Sequence, residues 1–560
     1  MAASTVSAPP NPASSLFAAI DMGTNSFKML IARAYPNGKF FTVEHLKEPV
    51  VLGRDTSSDA APFRFSVNSE TRAVEALQGF QRVLKSYKIS EARTRCVATA
   101  AVREAVNKFE FAERVKEKTG LEVEVLPGEE EARLVYLGML RFLPIYDKQA
   151  LGVDIGGGST EFVIGKQGNV KFRASLKLGH VILTQKFGNS NEEVESMRKY
   201  IRSVIEQSGL VENIKKCGFE VAAGSSGTIR AVEEAVSHGY ASARDNFEDV
   251  KVFGECKREW KLSRGELGGI VERLCGGGEG EKIRKDKFFK RRSEFIVAGA
   301  VLLEEIFKAL EIEEVEVSGY ALAEGVLAEM LMKAYDICDT NDNGRWCSVV
   351  QLAARFNNKK RMIAASQCAS IAKDIFEDLR RCTELADNQV VGSLDDKDLE
   401  YLEAACMLHN IGHFTGKKGF HKQSYLIIMN GDSLRGYSTE EVKLVALLVR
   451  HHRKKLPKLD HASFKEFPKE LKKKLNFLSA IVRISIALWQ HRCMNCPDGE
   501  HSYSCEGFKL AYKVSKDQNF LPRTVQPLAE NIGEDLRKEL EHFKMVFHQD
   551  LFLVVPPSTS

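Results

Sequence analysis

Two short stretches of this chain carry residue types that can hold a phosphate. Asp21-Met22-Gly23-Thr24-Asn25-Ser26 and Asp154-Ile155-Gly156-Gly157-Gly158-Ser159 share one spacing, so that Asp21, Gly23 and Ser26 align with Asp154, Gly156 and Ser159. Glycines in such a turn let backbone N–H groups converge on an anion, because no Cβ blocks the approach. A lone D-x-G is more often a tight hairpin and nothing else. Here a third loop of like composition, Gly224-Ser225-Ser226-Gly227-Thr228, accompanies the two matched copies. A basic strip follows far downstream. Over 450–474 ten Lys/Arg, among them Arg450, Arg453, Lys454, Lys455, Lys472, Lys473 and Lys474, face only Asp460, Glu466 and Glu470. Charge of that density can track a polyanion without reading it, although a solvated helix face has the same composition. A second basic cluster, RKDKFFKRR, occupies 284–292. Finally, Cys493, Cys496, His501 and Cys505 bring four N/S ligands together one residue short of a zinc-knuckle spacing, in a loop where a chance grouping is the plainer reading.

The elements that must position these residues can be read from periodicity. LFAAID and KMLIARA bracket the first glycine turn as strand, turn, strand, and LGVDIGGGSTEFVIG repeats that grammar. The repeat implies two related α/β halves. Between them, 68–85 has helical spacing with Asn68 or Ser69 as the expected N-cap, and 95–98 reads as a strand. The second half runs through strand, loop and helix at 221–235, a helix at 294–310, a strand at 314–318 and a helix from 321. The polar stretch 336–344 is a linker. After it the pattern is helical (349–354, 364–379, 399–408, 440–450 and 477–489), and short strands at 508–514 and 551–555 flank a helix around 528–546.

The ordered motifs AAIDMGTNSFKML, VATAAVREAVN, LPGEEEARLVYLG, VDIGGGSTEFVIG, AAGSSGTIRA and VSGYALAEGVL resemble those of the exopolyphosphatase/guanosine pentaphosphate phosphohydrolase (Ppx/GppA) family, a branch of the actin, sugar-kinase and heat-shock chaperone superfamily. The resemblance implies an α/β fold of two related actin-like (ribonuclease H-like) lobes followed by an α-helical HD-like domain and a small α/β appendage. The expected bounds are a disordered tail 1–15, lobes 16–145 and 146–335, a helical domain 345–495 and an appendage 496–560. GEEEARL resembles a signature of the phosphatase branch, as distinct from the kinases. It makes Glu131 the general base that activates water, Glu161 a second catalytic carboxylate, Asp154 and Glu161 the residues associated with Mg²⁺, and Arg103 a phosphate contact. Arg291 or Arg292 corresponds to an arginine that precedes the Gly299 helix. The implied activity is release of orthophosphate from the ends of inorganic polyphosphate, with guanosine pentaphosphate as the alternative substrate. A regulatory member that binds phosphate or nucleotide without turnover is the rival of another class. A homodimer is implied by analogy, and the basic strip becomes a distal polyphosphate track.

Two departures from the family pattern stand out. Ala323-Glu324-Gly325 replaces Arg-Glu-Gly, which puts in doubt any contact made by that guanidinium. His409-Asn410 replaces the His-Asp pair of HD phosphohydrolases, and Asn is a poor substitute for an anionic ligand. The segment 405–430 is therefore read as a degenerate, structural and substrate-guiding HD-like domain.

The composition is compatible with all of this. In 560 residues, 44% hydrophobic, 80 Lys+Arg nearly balance 76 Asp+Glu. That length suits three or four globular domains and excludes disorder as the main state. The near-neutral total gives no ground for expecting nucleic acid as the partner. The longest apolar runs fall well short of a membrane span. Twelve cysteines dispersed along the chain suggest reduced thiols and a cytoplasmic setting. The Ala/Ser/Pro-rich start has no basic n-region, and its Ser-rich, acid-free character leaves plastid targeting as a weaker alternative.

Overall fold

The computed structural model describes residues 15–52, 63–241, 260–285, 289–336, 344–381, 393–431, 434–453, 467–494, 509–512, 533–547 and 551–554. These fall into two compact units, the first comprising Met1–Phe40, Glu44–Lys85 and Ile89–Asn343 and the second Gly344–Ser560 together with Phe41–Val43 and Ser86–Lys88. Of the expected tail only Ser15 is described, and the linker beyond Asp336 lies outside the described residues up to Gly344.

The first unit contains two sheets. β1 (Ser15–Met22), β2 (Phe27–Ala34), β3 (Phe40–Glu48), β4 (Thr94–Ala98) and β5 (Val123–Val125) are ordered β3-β2-β1-β4-β5. β6 (Ala150–Ile155), β7 (Thr160–Lys166), β8 (Asn169–Leu176), β9 (Val221–Ser225), β10 (Lys261–Ser263) and β11 (Glu314–Val317) are ordered β10-β11-β9-β6-β7-β8. Without β10, the second sheet has the order of the first. β1 and β6 pair antiparallel with the next strand of their hairpin and parallel with β4 and β9. Both are continuous apolar runs because they lie mid-sheet and are covered on both faces. At the edge, β8 alternates exposed and half-buried residues.

The hairpin repeat holds at the level of register. Asp21 pairs with Lys28, and Asp154 pairs with Glu161. A Cβ on Gly23 would stand 3.1 Å from the Ser26 carbonyl oxygen, and one on Gly156 would stand 3.1 Å from that of Ser159. Helix starts deviate more. The helix expected from Asn68 spans Val67–Ser86, and the Ser66 hydroxyl accepts from the Ser69 N–H at 3.1 Å, so the cap falls on Ser66.

Two glycines set how closely the halves interlock. Helix Leu322–Tyr335 follows the second sheet in sequence, yet it packs on β1, β2 and helix Gly128–Leu140. A Cβ on Gly138 would collide with the Ala321 carbonyl, and one on Gly325 with the Leu134 carbonyl. This accounts for the Gly in Ala323-Glu324-Gly325. Glu324 caps the same helix by accepting from the Ala321 N–H at 2.8 Å, and Ala323 is buried.

The second unit is helical, with helices Gly344–Phe356, Lys359–Arg381, Asp396–Leu408, Phe420–Met429, Thr439–His451 and Lys469–Met494. Helix Glu534–Phe547 docks on the last of these through a bidentate Arg483–Glu539 pair (2.7 and 2.8 Å) and the Phe477 and Phe547 rings. β12 (Lys509–Tyr512) and β13 (Leu551–Val554) form a two-stranded antiparallel sheet. Among the described residues no helix is long and apolar enough to cross a membrane.

The helix crossing predicts a specific sensitivity. Gly325→Ala forces carbon into a backbone–backbone contact and is expected to cost about 1–3 kcal/mol, as overpacked sites do. The check is a lowered thermal unfolding midpoint, beside a control Gly265→Ala at a position with open space.

Candidate active site

The site is assembled by short connections at the ends of strands. After β4, Thr99 precedes the short helix Ala100–Glu104 that carries Arg103. After β5, Pro127 starts helix Gly128–Leu140, whose first turn holds Glu129, Glu130 and Glu131. Three carboxylates there suit the positive end of the helix dipole. Glu129 pairs with Arg173 and Glu130 with Arg133, whereas Glu131 is 6% exposed. Gly128 makes this possible, since a Cβ there would collide with the Ser175 side chain on β8.

Arg103 binds the buried carboxylate. Its Nη1 donates to Glu131 Oε2 at 2.8 Å and to the Leu126 carbonyl at 3.0 Å, and its Nη2 lies 3.5 Å from Ser159 Oγ. Ser159 Oγ in turn donates to Glu161 Oε1 at 2.5 Å, which also accepts from Ser175 Oγ at 2.9 Å. Burial pushes Glu131 up to about 7, against the pull of Arg103 and with help from Asp154 and Asp21. Glu161 is held well above the carboxylate range by burial, then by Glu131 and Asp154. Burial raises Asp154 too, opposed first by Lys28.

The two hairpins differ at one register position, and that difference has a chemical meaning. Opposite Asp21 stands Lys28, whose Nζ meets Asp21 Oδ2 at 2.9 Å. Opposite Asp154 stands Glu161. Cross-strand partners share a face, so the second hairpin presents two carboxylates side by side. Asp154 Oδ1 and Glu161 Oε2 are buried and have no hydrogen-bond partner among the described residues. An all-oxygen pair with unmet capacity fits a hard divalent cation. Among the described residues no group of three or more His, Cys, Asp or Glu side chains is placed to hold a metal ion.

The phosphate-type loops lie around this core. Gly156 N–H closes its turn on the Ser159 carbonyl at 2.9 Å. The Gly156 and Gly157 carbonyls accept from the first N–H groups of helix His180–Phe187, and the Gly157 and Gly158 N–H groups have no acceptor among the described residues. Thr24 packs where side chains on Gly157 and Gly158 would be, so these two loops touch, and Asn25 and Ser26 complete the first turn. Gly224 and Ser225 end β9, Ser226 follows, and Gly227 and Thr228 open helix Gly227–Ser237. Ser225 hydrogen-bonds Asp154, and its Oγ lies 3.1 Å from the Tyr320 carbonyl.

Sequence reasoning missed Lys28, His180 and Arg230 here, and left Arg291 and Arg292 unresolved. It is the Arg292 guanidinium that lies over Gly227. The seven-residue offset from aspartate to Lys28, and equally to Glu161, was present in the repeat and could have flagged Lys28.

In the second unit, Arg450 lies over the Tyr425 ring (4.7 Å) and Arg453 over Phe420 (5.5 Å). The described basic positions among the rest are held in different ways. Lys474 is bound to Asp398 at 2.7 Å and is 15% exposed in its side chain, Lys473 pairs with Glu470 at 3.5 Å, Lys472 is half-buried, and Lys454 and Lys455 lie outside the described residues. Asn410 accepts from Asn357 Nδ2 (2.7 Å) while its own amide donates to the Arg361 carbonyl (3.2 Å), a double role an aspartate could not fill. Of the cysteine cluster, Cys493 falls within helix Lys469–Met494, and Cys496, His501 and Cys505 lie outside the described residues.

Two sheets of one order, each with an aspartate hairpin at its centre, define an actin-like protein of two ribonuclease H-like lobes. The model of the Ppx/GppA phosphatase family matches residues 30–334, and that of Ppx/GppA phosphatase domain III matches 345–535, so the chain belongs to the Ppx/GppA phosphatase family. It is 29% identical over 456 residues to a guanosine-5'-triphosphate,3'-diphosphate pyrophosphatase of Photobacterium profundum, covering 80% of this chain and 82% of that one. The protein of the same name from Pseudoalteromonas translucida is 29% identical over 452 residues, with the same coverages. Among solved structures, an exopolyphosphatase from Cytophaga hutchinsonii is similar at 25% identity and a TM-score of 0.49, over 57% of this chain and 98% of that one.

The carboxylate cluster should make metal-free stability depend on pH. A carboxyl raised in the folded state favours folding when protonated, below its unfolded value near 4.5, and that advantage is lost as pH rises through the folded value, about 7 for Glu131. The metal-free unfolding midpoint is therefore expected to fall between about pH 5 and 8. Glu161→Gln, which removes one of the coupled charges, should flatten that fall.

Proposed function

We propose that this protein is a metal-dependent phosphohydrolase that removes the terminal phosphoryl group from inorganic polyphosphate. The observation that carries the reading is Glu131, a buried carboxylate pushed up to about 7, gripped by Arg103 and joined through Ser159 to the Asp154/Glu161 pair. A base near neutrality can take a proton from water at ordinary pH and still be unprotonated often enough to act. Glu131 would orient a water for in-line attack. As the new O–P bond forms, the water's proton goes to Glu131, and the bridging P–O bond breaks with its electron pair leaving on the shortened chain. The Arg103 fork suits two phosphoryl oxygens in the crowded transition state. The N–H groups of Gly157 and Gly158, without an acceptor among the described residues, and the loops 24–26 and 224–228 would hold the phosphates. Asp154 and Glu161 would hold Mg²⁺, which when bound neutralises phosphate charge and steadies the leaving oxygen.

Guanosine pentaphosphate is the second reading, and the two pyrophosphatases of that specificity, alike over 80% of this chain, favour it. The same attack on a terminal phosphoryl group serves both substrates. Arg450 and Arg453, each over an aromatic ring in the helical unit, belong to the proposed polyphosphate track with Lys454, Lys455, Lys472, Lys473 and Lys474.

Orthophosphate release from each substrate with Mg²⁺ tests the proposal. Glu131→Gln is expected to lower kcat by about 10²–10⁴. No release by the unmodified protein from either substrate would overturn the reading, and release unaffected by Glu131→Gln would place the base elsewhere. Arg103→Gln removes the charge that pulls Glu131 down, so the acid limb of its residual pH–rate profile should move to higher pH. An unmoved limb would separate Arg103 from the base.

A further inference from the structure

The two hairpin loops are braced from behind by different means. In the second lobe the Gly156 carbonyl accepts from the His180 N–H at 3.1 Å and the Gly157 carbonyl from the Val181 N–H at 3.0 Å. The otherwise orphaned donors of a helix start hold that loop. In the first lobe the donors come from the segment that follows β3. The Val51 N–H donates to the Asn25 carbonyl at 3.0 Å, and the Leu52 N–H donates to the Thr24 carbonyl at 2.9 Å.

A non-helical segment can copy a helix start only at a conformational cost. Successive N–H groups point to opposite sides of an extended chain, and they face one way only where the residue between them leaves the extended region. Val51 does so at φ +45°, in the left-handed region, where a β-branched residue is a genuine outlier. Such a conformation persists only where its surroundings over-determine it. Here the neighbours Val50 and Leu52 are 3% and 1% exposed and pin both sides of the half-buried Val51. The Val50 carbonyl also accepts from Arg72 Nε at 3.3 Å, on helix Val67–Ser86.

Peptide planarity says what this brace accomplishes. In a trans peptide the C=O and N–H point in opposite directions. Tying back the Thr24 and Asn25 carbonyls therefore turns the N–H groups of Asn25 and Ser26 away from Val51 and Leu52. Those two N–H groups have no acceptor among the described residues, although Thr24 and Ser26 are buried. Adjacent N–H groups facing one way make a seat for an anion. The Thr24 side chain packs against Gly157 and Gly158, which puts this seat beside the loop of the second lobe.

We propose that Val51 is a positioning residue for the reaction: its left-handed backbone, fixed between Val50 and Leu52, holds the Asn25 and Ser26 N–H groups toward a bound phosphoryl group. The inference rests on the phosphohydrolase reading above and assigns a residue that does not itself touch substrate. The backbone of Val51 acts, and its side chain is incidental.

Equilibrium binding of tripolyphosphate to the full-length protein with Mg²⁺, in the Glu131→Gln background, requires no turnover and so tests the brace apart from the activity. Val51→Pro removes the N–H and fixes φ near −65°. It should weaken binding about 10–100-fold, as loss of hydrogen bonds to a charged group does. Val51→Gly keeps the N–H and suits a positive φ, so this conservative variant should bind within about twofold of its parent. Mn²⁺, standing in for Mg²⁺ at Asp154 and Glu161 in the other lobe, should bind either variant without phosphate to within about twofold, as separate sites do. Equal losses in Val51→Gly and Val51→Pro would trace the effect to the missing side chain and overturn the proposal. Unchanged tripolyphosphate binding by Val51→Pro, or a matching loss of Mn²⁺ affinity, would overturn it too. If Val51→Pro does not fold, hydrogen exchange in the parent protein decides: tripolyphosphate should slow exchange of the Asn25 and Ser26 N–H groups, and unchanged exchange there rules out the seat. Weakened binding confined to Val51→Pro, without phosphate release by the unmodified protein, would uphold the brace and sink the hydrolase.

Discussion

Charge left unmet across one hairpin governs the rest of this molecule. In the first lobe the residue opposite the hairpin aspartate is Lys28, and the pair is neutral at 2.9 Å. In the second lobe the same register position is Glu161, so Asp154 faces a second carboxylate, and helix Gly128–Leu140 brings in a third, Glu131. Taking one such ion out of water costs several kcal/mol even after relaxation. Arg103 answers only one of the three directly. The folded chain therefore holds an electrostatic deficit that a cation and a polyanion with its own positive partners can relieve, and the raised values of Glu131, Asp154 and Glu161 are its expression.

Holding such a cluster is chiefly a matter of backbone approach. Gly128 lets a helix start press against Ser175, and Gly157 and Gly158 leave room for Thr24 where the two glycine loops meet. Gly138 and Gly325 let the last helix of the second lobe lie on a helix of the first at backbone contact. The same helix Gly128–Leu140 carries Glu131, so the crossing that ties the lobes also fixes the proposed base. A shift of one carbon at these positions would reach the chemistry through rigid packing and not through any contact with substrate.

In the helical unit the position read from sequence as half of a degenerate HD-like pair is held by a satisfied amide network. Where HD phosphohydrolases have an aspartate, Asn410 both accepts and donates, joining Asn357 to the Arg361 backbone. His409 donates from Nδ1 to the Cys406 carbonyl at 2.7 Å, and burial keeps the ring neutral. The charges of the basic strip are likewise divided, some lying on aromatic faces and Lys474 bound internally to Asp398.

The sequence by itself determined the repeated hairpin, the three glycine loops and the change to helical architecture after the linker, because strand alternation, glycine turns and helical periods are local patterns. The order of motifs also singled out Glu131 from three adjacent glutamates through family resemblance, a choice that composition could not make. Only the tertiary structure decided that Glu129 and Glu130 are tied to arginines while Glu131 is buried, since burial is set by Ser175 and Arg103 from distant parts of the chain. It also placed the Arg292 guanidinium against Gly227, and brought His180, a residue of an apolar helix start, beside Thr228. Those relations join positions dozens of residues apart, and a pattern of near neighbours contains no term for them.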